Sequence, residues 1–232
     1  MRVVLVRPRN PLNIGAVARA MSNFGFTHLR VVNPYEVAFR EARSAIGASQ
    51  VLRQAEEYQH VRKAIADCSL VIGTSALGHR ELQHDVVHLD RSGQLISKST
   101  AQIALMFGSE KVGLSNDDFS YCQSILHIPT SQTNISMNLG QAVAVCLYEF
   151  VRQSNLSVNA TQSHQATAEE LERLSDVLSQ ALATSGYTKK GASASTTQKA
   201  RRLIRRLSLS SDDAELLLGM LRKMSQSNDN KH

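Results

Sequence analysis

Residues 103–116 read IALMFGSEKVGLSN: five apolar residues in a row, then a polar loop set between Gly108 and Gly113. An apolar run without alternation fits a strand of a parallel sheet covered on both faces. Working outward, the same unit recurs. Residues 3–6 (VVLV), 29–32 (LRVV), 70–73 (LVIG) and 125–128 (ILHI) are four more such runs, and the spacers between them are long enough for crossover helices. Strands alternating with helices predict an α/β fold built on a parallel sheet.

Two helices stand out. Ile14, Val17, Met21 and Phe24 make one apolar stripe, with Asn13 expected as N-cap and Gly25 as the stop. Leu139, Val143, Cys146, Leu147 and Phe150 make a second, with Ser136 expected as its cap. The composition then changes. Residues 153–166 are rich in Ser, Asn, Gln, Thr and Ala and read as a linker. Beyond it three helical patterns follow: a stripe through Leu171, Leu174 and Leu178, a basic helix over 198–207, and a last helix capped by Ser210 or Ser211. The expected organisation is an α/β domain at 1–152, a linker at 153–166 and an all-helical extension at 167–232.

Composition narrows the classes. Of 232 residues, 42% are hydrophobic and 20% charged, so a folded core is expected. The net charge of +6 allows a polyanionic partner without requiring one. Three scattered cysteines, with no C-x-x-C, fit neither a disulfide framework nor a zinc site. No apolar run approaches the ~20 residues of a membrane span, and the N-terminal apolar stretch is too short for a signal peptide. A reducing, cytoplasmic setting is expected, without a membrane or metal partner.

Some chemistries drop out. No G-x-G-x-x-G follows a strand, so the usual dinucleotide loop is missing. Gly108 and Gly113 have P-loop spacing, but Leu114 stands where the phosphate-binding Lys belongs. His79, His84 and His88 are loosely spaced and fit a solvated loop better than a metal site. Three polar segments remain, each following a strand, where ligands gather in open α/β sheets. They are 10–21, with Arg19 turned about 200° from Val17 and so off the core stripe, then 107–116, and 128–138. Taken singly, Arg19 reads as a solvated helix residue, Glu110 as loop surface, and Ser136 and Asn138 as caps.

Together they say more. NIGAVARAM (13–21), LMFGSEKVGLSN (105–116) and IPTSQTNISMNLGQAVAV (128–145) resemble, in order and spacing, the three signature motifs of the SPOUT (SpoU/TrmH-type) RNA ribose 2′-O-methyltransferases. The resemblance covers about residues 1–152. It implies S-adenosylmethionine as cofactor, a deep trefoil knot in the C-terminal part of the α/β domain, and a homodimer with its site near the interface. The knot comes from the resemblance alone, since physical priors run against knots. Within the family, the C-terminal helices resemble those of a subfamily that methylates tRNA at anticodon-loop position 32. An rRNA methyltransferase and a non-catalytic RNA-binding protein are the alternatives.

By the same resemblance, Thr74, Ser75, Ala76, Gly108, Ile128, Ile135, Ser136 and Met137 bind the cofactor. Arg19, Asn13, Glu110, Ser136 and Asn138 form the catalytic set. A guanidinium stays protonated, so Arg19 is expected to orient a phosphate and stabilise charge on the 2′-oxygen rather than act as a base. Lys199, Arg201, Arg202, Arg205 and Arg206 are expected to line an RNA-binding face, because basic runs often meet phosphates.

Overall fold

The apolar runs form the middle of a seven-stranded parallel sheet. The structure is a computed structural model describing residues 1–44, 49–76, 84–93, 102–131, 133–154, 165–188 and 193–229. Its strands are β1 (Arg2–Val6), β2 (His28–Val32), β3 (Glu56–Tyr58), β4 (Leu70–Thr74), β5 (Asp85–His88), β6 (Ile103–Phe107) and β7 (Ser124–His127). Their order across the sheet is β3-β2-β1-β6-β4-β7-β5, with every described pairing parallel. The five apolar runs are thus the interior strands. The two edges, β3 and β5, are short and largely exposed; β3 is polar, and the two valines of β5 make too brief an apolar run to stand out.

Successive side chains of each interior strand enter opposite cores. Val3, Leu5, Ile103, Leu105 and Phe107 join one cluster, with α1 (Pro11–Asn23), α2 (Glu36–Ser44) and α3 (Gln50–Arg53). Val4, Val6, Ala104, Met106 and Ile125 join the other, with α4 (Val61–Ala64) and α5 (Asn116–Ser120). Burial on both faces explains why these runs do not alternate. Helix α6 (Leu139–Ser154) packs beside α1 in the first core. There the Cβ that Gly140 lacks would stand 2.7 Å from the Ala16 methyl.

Both expected helix starts move. The cap of α1 is Asn10, whose side chain accepts from the Leu12 amide at 2.9 Å, and Pro11 opens the helix. Asn13 lies inside the first turn. Helix α6 is capped by Asn138, which accepts from the amides of Gly140 (2.9 Å) and Gln141 (3.4 Å). Ser136 is not the cap. The stop of α1 is as expected: Gly25 has φ +78°, and the Phe26 amide returns to the Met21 carbonyl at 2.9 Å, a Schellman closure.

The C-terminal helices are α7 (Ala168–Thr184), α8 (Ser193–Arg206) and α9 (Ser211–Asp229). They share a small third core around Leu171, Leu174, Ile204 and Ala214. Helix α8 starts at Ser193, five residues before the expected 198. Most of the expected linker (155–164) lies outside the described residues. The start of α7 docks on the α/β core: the amides of Ala168 and Glu169 bond the carbonyls of Cys68 (2.6 Å) and Ala66 (3.1 Å). No described helix is long and apolar enough to cross a membrane.

Candidate active site

The carboxyl ends of β4, β6 and β7 and the start of α1 surround a cavity of about 680 Å³. Three loops and one helix build it. Thr74, Ser75 and Ala76 come from the end of β4, 108–114 from the loop after β6, Ile128, Thr130 and 135–138 from the loop after β7, and Asn13 from α1. All eight residues that the resemblance assigns to the cofactor line this cavity, as do Asn13, Glu110, Ser136 and Asn138. Its inner wall is apolar, with Phe107, Phe119, Leu126 and Leu139 among the lining side chains.

At one side of the cavity three polar side chains form a chain of hydrogen bonds. Glu110 accepts from the Asn13 side-chain amide at 3.0 Å, and the Asn13 carbonyl oxygen accepts from the Asn138 amide at 2.9 Å. The Asn138 oxygen in turn caps α6. Glu110 also accepts from the backbone amides of Arg9 (3.1 Å) and Asn10 (3.2 Å). The bonds to Glu110 tie the loop after β6 to the start of α1, and the Asn13–Asn138 bond ties the start of α1 to the start of α6. The two Asn amides are oriented by the network, since in each the nitrogen donates and the oxygen accepts. The amides of Arg9 and Asn10 are main-chain groups, and no side-chain pattern in the sequence marks them.

Gly108 makes room for the chain itself. A Cβ there would meet the Gly113 carbonyl carbon at 2.0 Å and the Leu114 amide at 2.1 Å. The loop folds back on itself, with Gly113 at φ +69° and its amide on the Ser109 carbonyl at 2.8 Å. Gly108 admits that return of the chain.

Arg19 is exposed on α1 and does not line the cavity of its own chain. It shares an outward stripe with Leu12, Ala16 and Asn23, all exposed as well. Exposed Val145, Tyr148 and Val151 lie on the neighbouring α6, and the Tyr148 ring meets Phe24 edge-on at 6.2 Å.

The basic helix needs a correction. Arg201 and Arg205 are 8% and 1% exposed and pair with Glu172, itself 1% exposed, from α7. Burial pulls the Arg205 guanidinium below its ordinary pKa while the Glu172 carboxylate opposes the shift. Both arginines belong to the seam between α7, α8 and α5 and are not presented to a phosphate. Arg202 is half-buried, and Lys199 and Arg206 are exposed. The face was misphased because α8 buries the side bearing Ala200, Arg201, Ile204 and Arg205 and leaves Leu203 and Leu207 about half exposed. Glu172 was missed altogether; it lies between Ala168 and Ser175 on the buried side of α7.

His79 lies outside the described residues. His84 is buried beside the Phe119 ring and His88 stands edge-on to His127. Burial pushes the thiols of Cys68, Cys122 and Cys146 up to about 12, which leaves them poor nucleophiles at neutral pH.

Comparisons with known proteins find relatives along the whole chain. Residues 1–148 match the model of the SpoU rRNA Methylase family. The whole chain is 36% identical to the tRNA (cytidine/uridine-2′-O-)-methyltransferase TrmJ of Citrobacter koseri, covering 98% of that protein. It is 34% identical to TrmJ of Klebsiella pneumoniae, with the same coverage. Among solved structures, TrmJ from Z. mobilis superposes with a TM-score of 0.84 at 30% identity, over 96% of this chain and 98% of that one.

Proposed function

This chain belongs to the SpoU rRNA methylase family, and on that premise we propose that it transfers a methyl group from S-adenosylmethionine to the ribose 2′-oxygen of a cytidine or uridine in tRNA. The supporting observation is the likeness to TrmJ proteins along the whole chain. The family model ends at residue 148, and the family's name favours an rRNA substrate. The likeness through the C-terminal helices favours tRNA, and anticodon-loop position 32 is the proposed target.

The cavity fits such a donor. Its volume falls within the ~300–1,000 Å³ usual for ligand sites. Apolar walls suit a purine, and the loops after β4, β6 and β7 offer main-chain groups for its edges. The deep knot belongs to the same reading. When bound, the sulfonium supplies an already activated methyl group, so the chain's task is positioning. The Glu110–Asn13–Asn138 chain holds the cavity wall in register, and Ser136 and Asn138 meet the cofactor loop and the ribose.

Arg19 acts from the outward stripe of α1, which fits a homodimer built on the exposed face of α1 and α6. In that arrangement it meets RNA at the interface, orienting a phosphate and stabilising charge that develops on the 2′-oxygen. Lys199, Arg202 and Arg206 extend the RNA-binding face, and the reaction takes place in the cytoplasm. Proposed domain limits are 1–152 and 167–232. Mapping ribose methylation in tRNA and rRNA from cells with and without the gene tests the substrate. Loss of one pyrimidine 2′-O-methyl in the anticodon loop supports the proposal; loss confined to rRNA contradicts it.

A further inference from the structure

We propose that Arg201 is a positioning residue for the cavity: through α5 it ties the C-terminal helices to the loop that carries Glu110, so the extension serves the donor site as well as RNA. The inference rests on the cofactor reading above.

Helix α5 is five residues long, too short to persist without support. It is held from several sides. At its start, Ser115 and Asp118 form a reciprocal capping box. Inward, Phe119 is 1% exposed and forms part of the cavity wall. Towards β1, Arg7 places its guanidinium on both carboxylate oxygens of the buried Asp118. Arg7 holds φ +54°, a conformation that costs a non-glycine residue free energy and persists where surroundings impose it.

The remaining side belongs to the extension. Arg201 donates from Nη1 to the Ser120 hydroxyl at 2.8 Å and lies 3.5 Å from the Asp117 carboxylate. Its guanidinium sits over the Tyr121 ring at 4.1 Å, and its Nε donates to Glu172 at 3.0 Å. One planar fork thus spans α7, α8 and both the body and the end of α5. Arg202 adds a 3.5 Å bond to the Asn116 carbonyl.

A shift of α5 cannot be absorbed upstream. Its cap, Ser115, follows Leu114, which is 1% exposed. The backbone of Gly113 and Leu114 fills the place where a Gly108 Cβ would stand. The base of the loop that carries Glu110 is therefore closely packed between α5 and β6, while its tip, residues 110–112, is exposed; a displacement of α5 passes through that packed base to the loop.

The test uses full-length protein, with S-adenosylmethionine affinity from calorimetry, folding stability from denaturant titration and tRNA affinity at saturating donor. Arg201→Gln is expected to weaken donor binding about tenfold and Ser120→Ala about threefold. The exposed control Arg173→Gln leaves it unchanged. Arg201→Lys keeps a cation opposite Glu172 without the planar fork, so it recovers folding stability but not donor affinity. A Ser120→Ala protein with wild-type donor affinity, or an Arg201→Lys variant that recovers stability and affinity together, overturns the inference. So does a loss of tRNA affinity with donor binding intact, which would make Arg201 an RNA contact. Should Arg201→Gln not fold, Ser120→Ala decides. A wild-type protein that does not bind the donor removes the cofactor reading itself.

Discussion

The two ends of the chain use polar residues in opposite ways. Around the cavity, Glu110, Asn13 and Asn138 sit near solvent and bind one another and nearby backbone amides. In the extension, Glu172, Arg201 and Arg205 are buried and form a charge cluster between helices. The first arrangement leaves polar atoms facing a cavity; the second uses charge as internal structure. Polar residues beside a strand end become site candidates once several such segments together resemble a family's motifs. A run of arginines on a helix says nothing about which of them the fold covers.

Removing Glu172 separates the two regions most sharply. Glu172→Ala strands two buried guanidiniums, and removing one partner of a buried pair costs about 3–5 kcal/mol. Denaturant unfolding should register that loss, whereas Glu110→Gln should unfold within about 1 kcal/mol of wild type, since the side chain is exposed. Equal losses at both positions would erase the distinction.

Next in size is activity. Arg19→Ala should lower methyl transfer at least about a hundredfold, the scale seen when one transition-state donor is lost. Its exposed position leaves folding and donor binding near wild type. Turnover close to wild type would remove Arg19 from the reaction.

A smaller effect concerns RNA. Replacing Lys199, Arg202 and Arg206 with Gln should weaken tRNA binding and flatten its salt dependence by up to about one log-log unit per lost phosphate contact. An unchanged slope would move RNA recognition to the α/β domain.

The smallest involves acid. Asp67 accepts from Arg30 and Arg2 below the sheet, and these partners outweigh the opposing effect of burial to hold its carboxyl at about 2, against an ordinary 3.8. Because the folded pKa is depressed, its stabilisation is complete above about pH 4 and fades as pH falls towards 2. Asp67→Asn should flatten the stability–pH curve in that window only. The effect is modest because the side chain is 43% exposed.

What was legible in the sequence follows from the same physics. Interior strands such as residues 103–107 are apolar on both sides, so the run itself announces them. The edges, Glu56–Tyr58 and Asp85–His88, are held by one neighbour and by backbone bonds that any side chain permits. The cavity residues were legible only through the family resemblance that three motifs in series carry; Thr74, Ser75 and Ala76 lie in none of those motifs and came from the resemblance alone. The helix caps were off by two or three residues because several Asn and Ser side chains compete near each start. Arg201 and Arg205 were misplaced because their burial depends on Glu172, 29 and 33 residues earlier in the chain, a pairing no local periodicity reveals.

The most direct test of the account is methyl transfer by purified protein from labelled S-adenosylmethionine to unmodified tRNA transcripts, one of which carries a 2′-deoxy nucleotide at the pyrimidine of anticodon-loop position 32. The account predicts about one methyl group per all-ribose transcript and none on the deoxy-substituted one. Equal labelling of both transcripts, or transfer to rRNA fragments but not to tRNA, would contradict it.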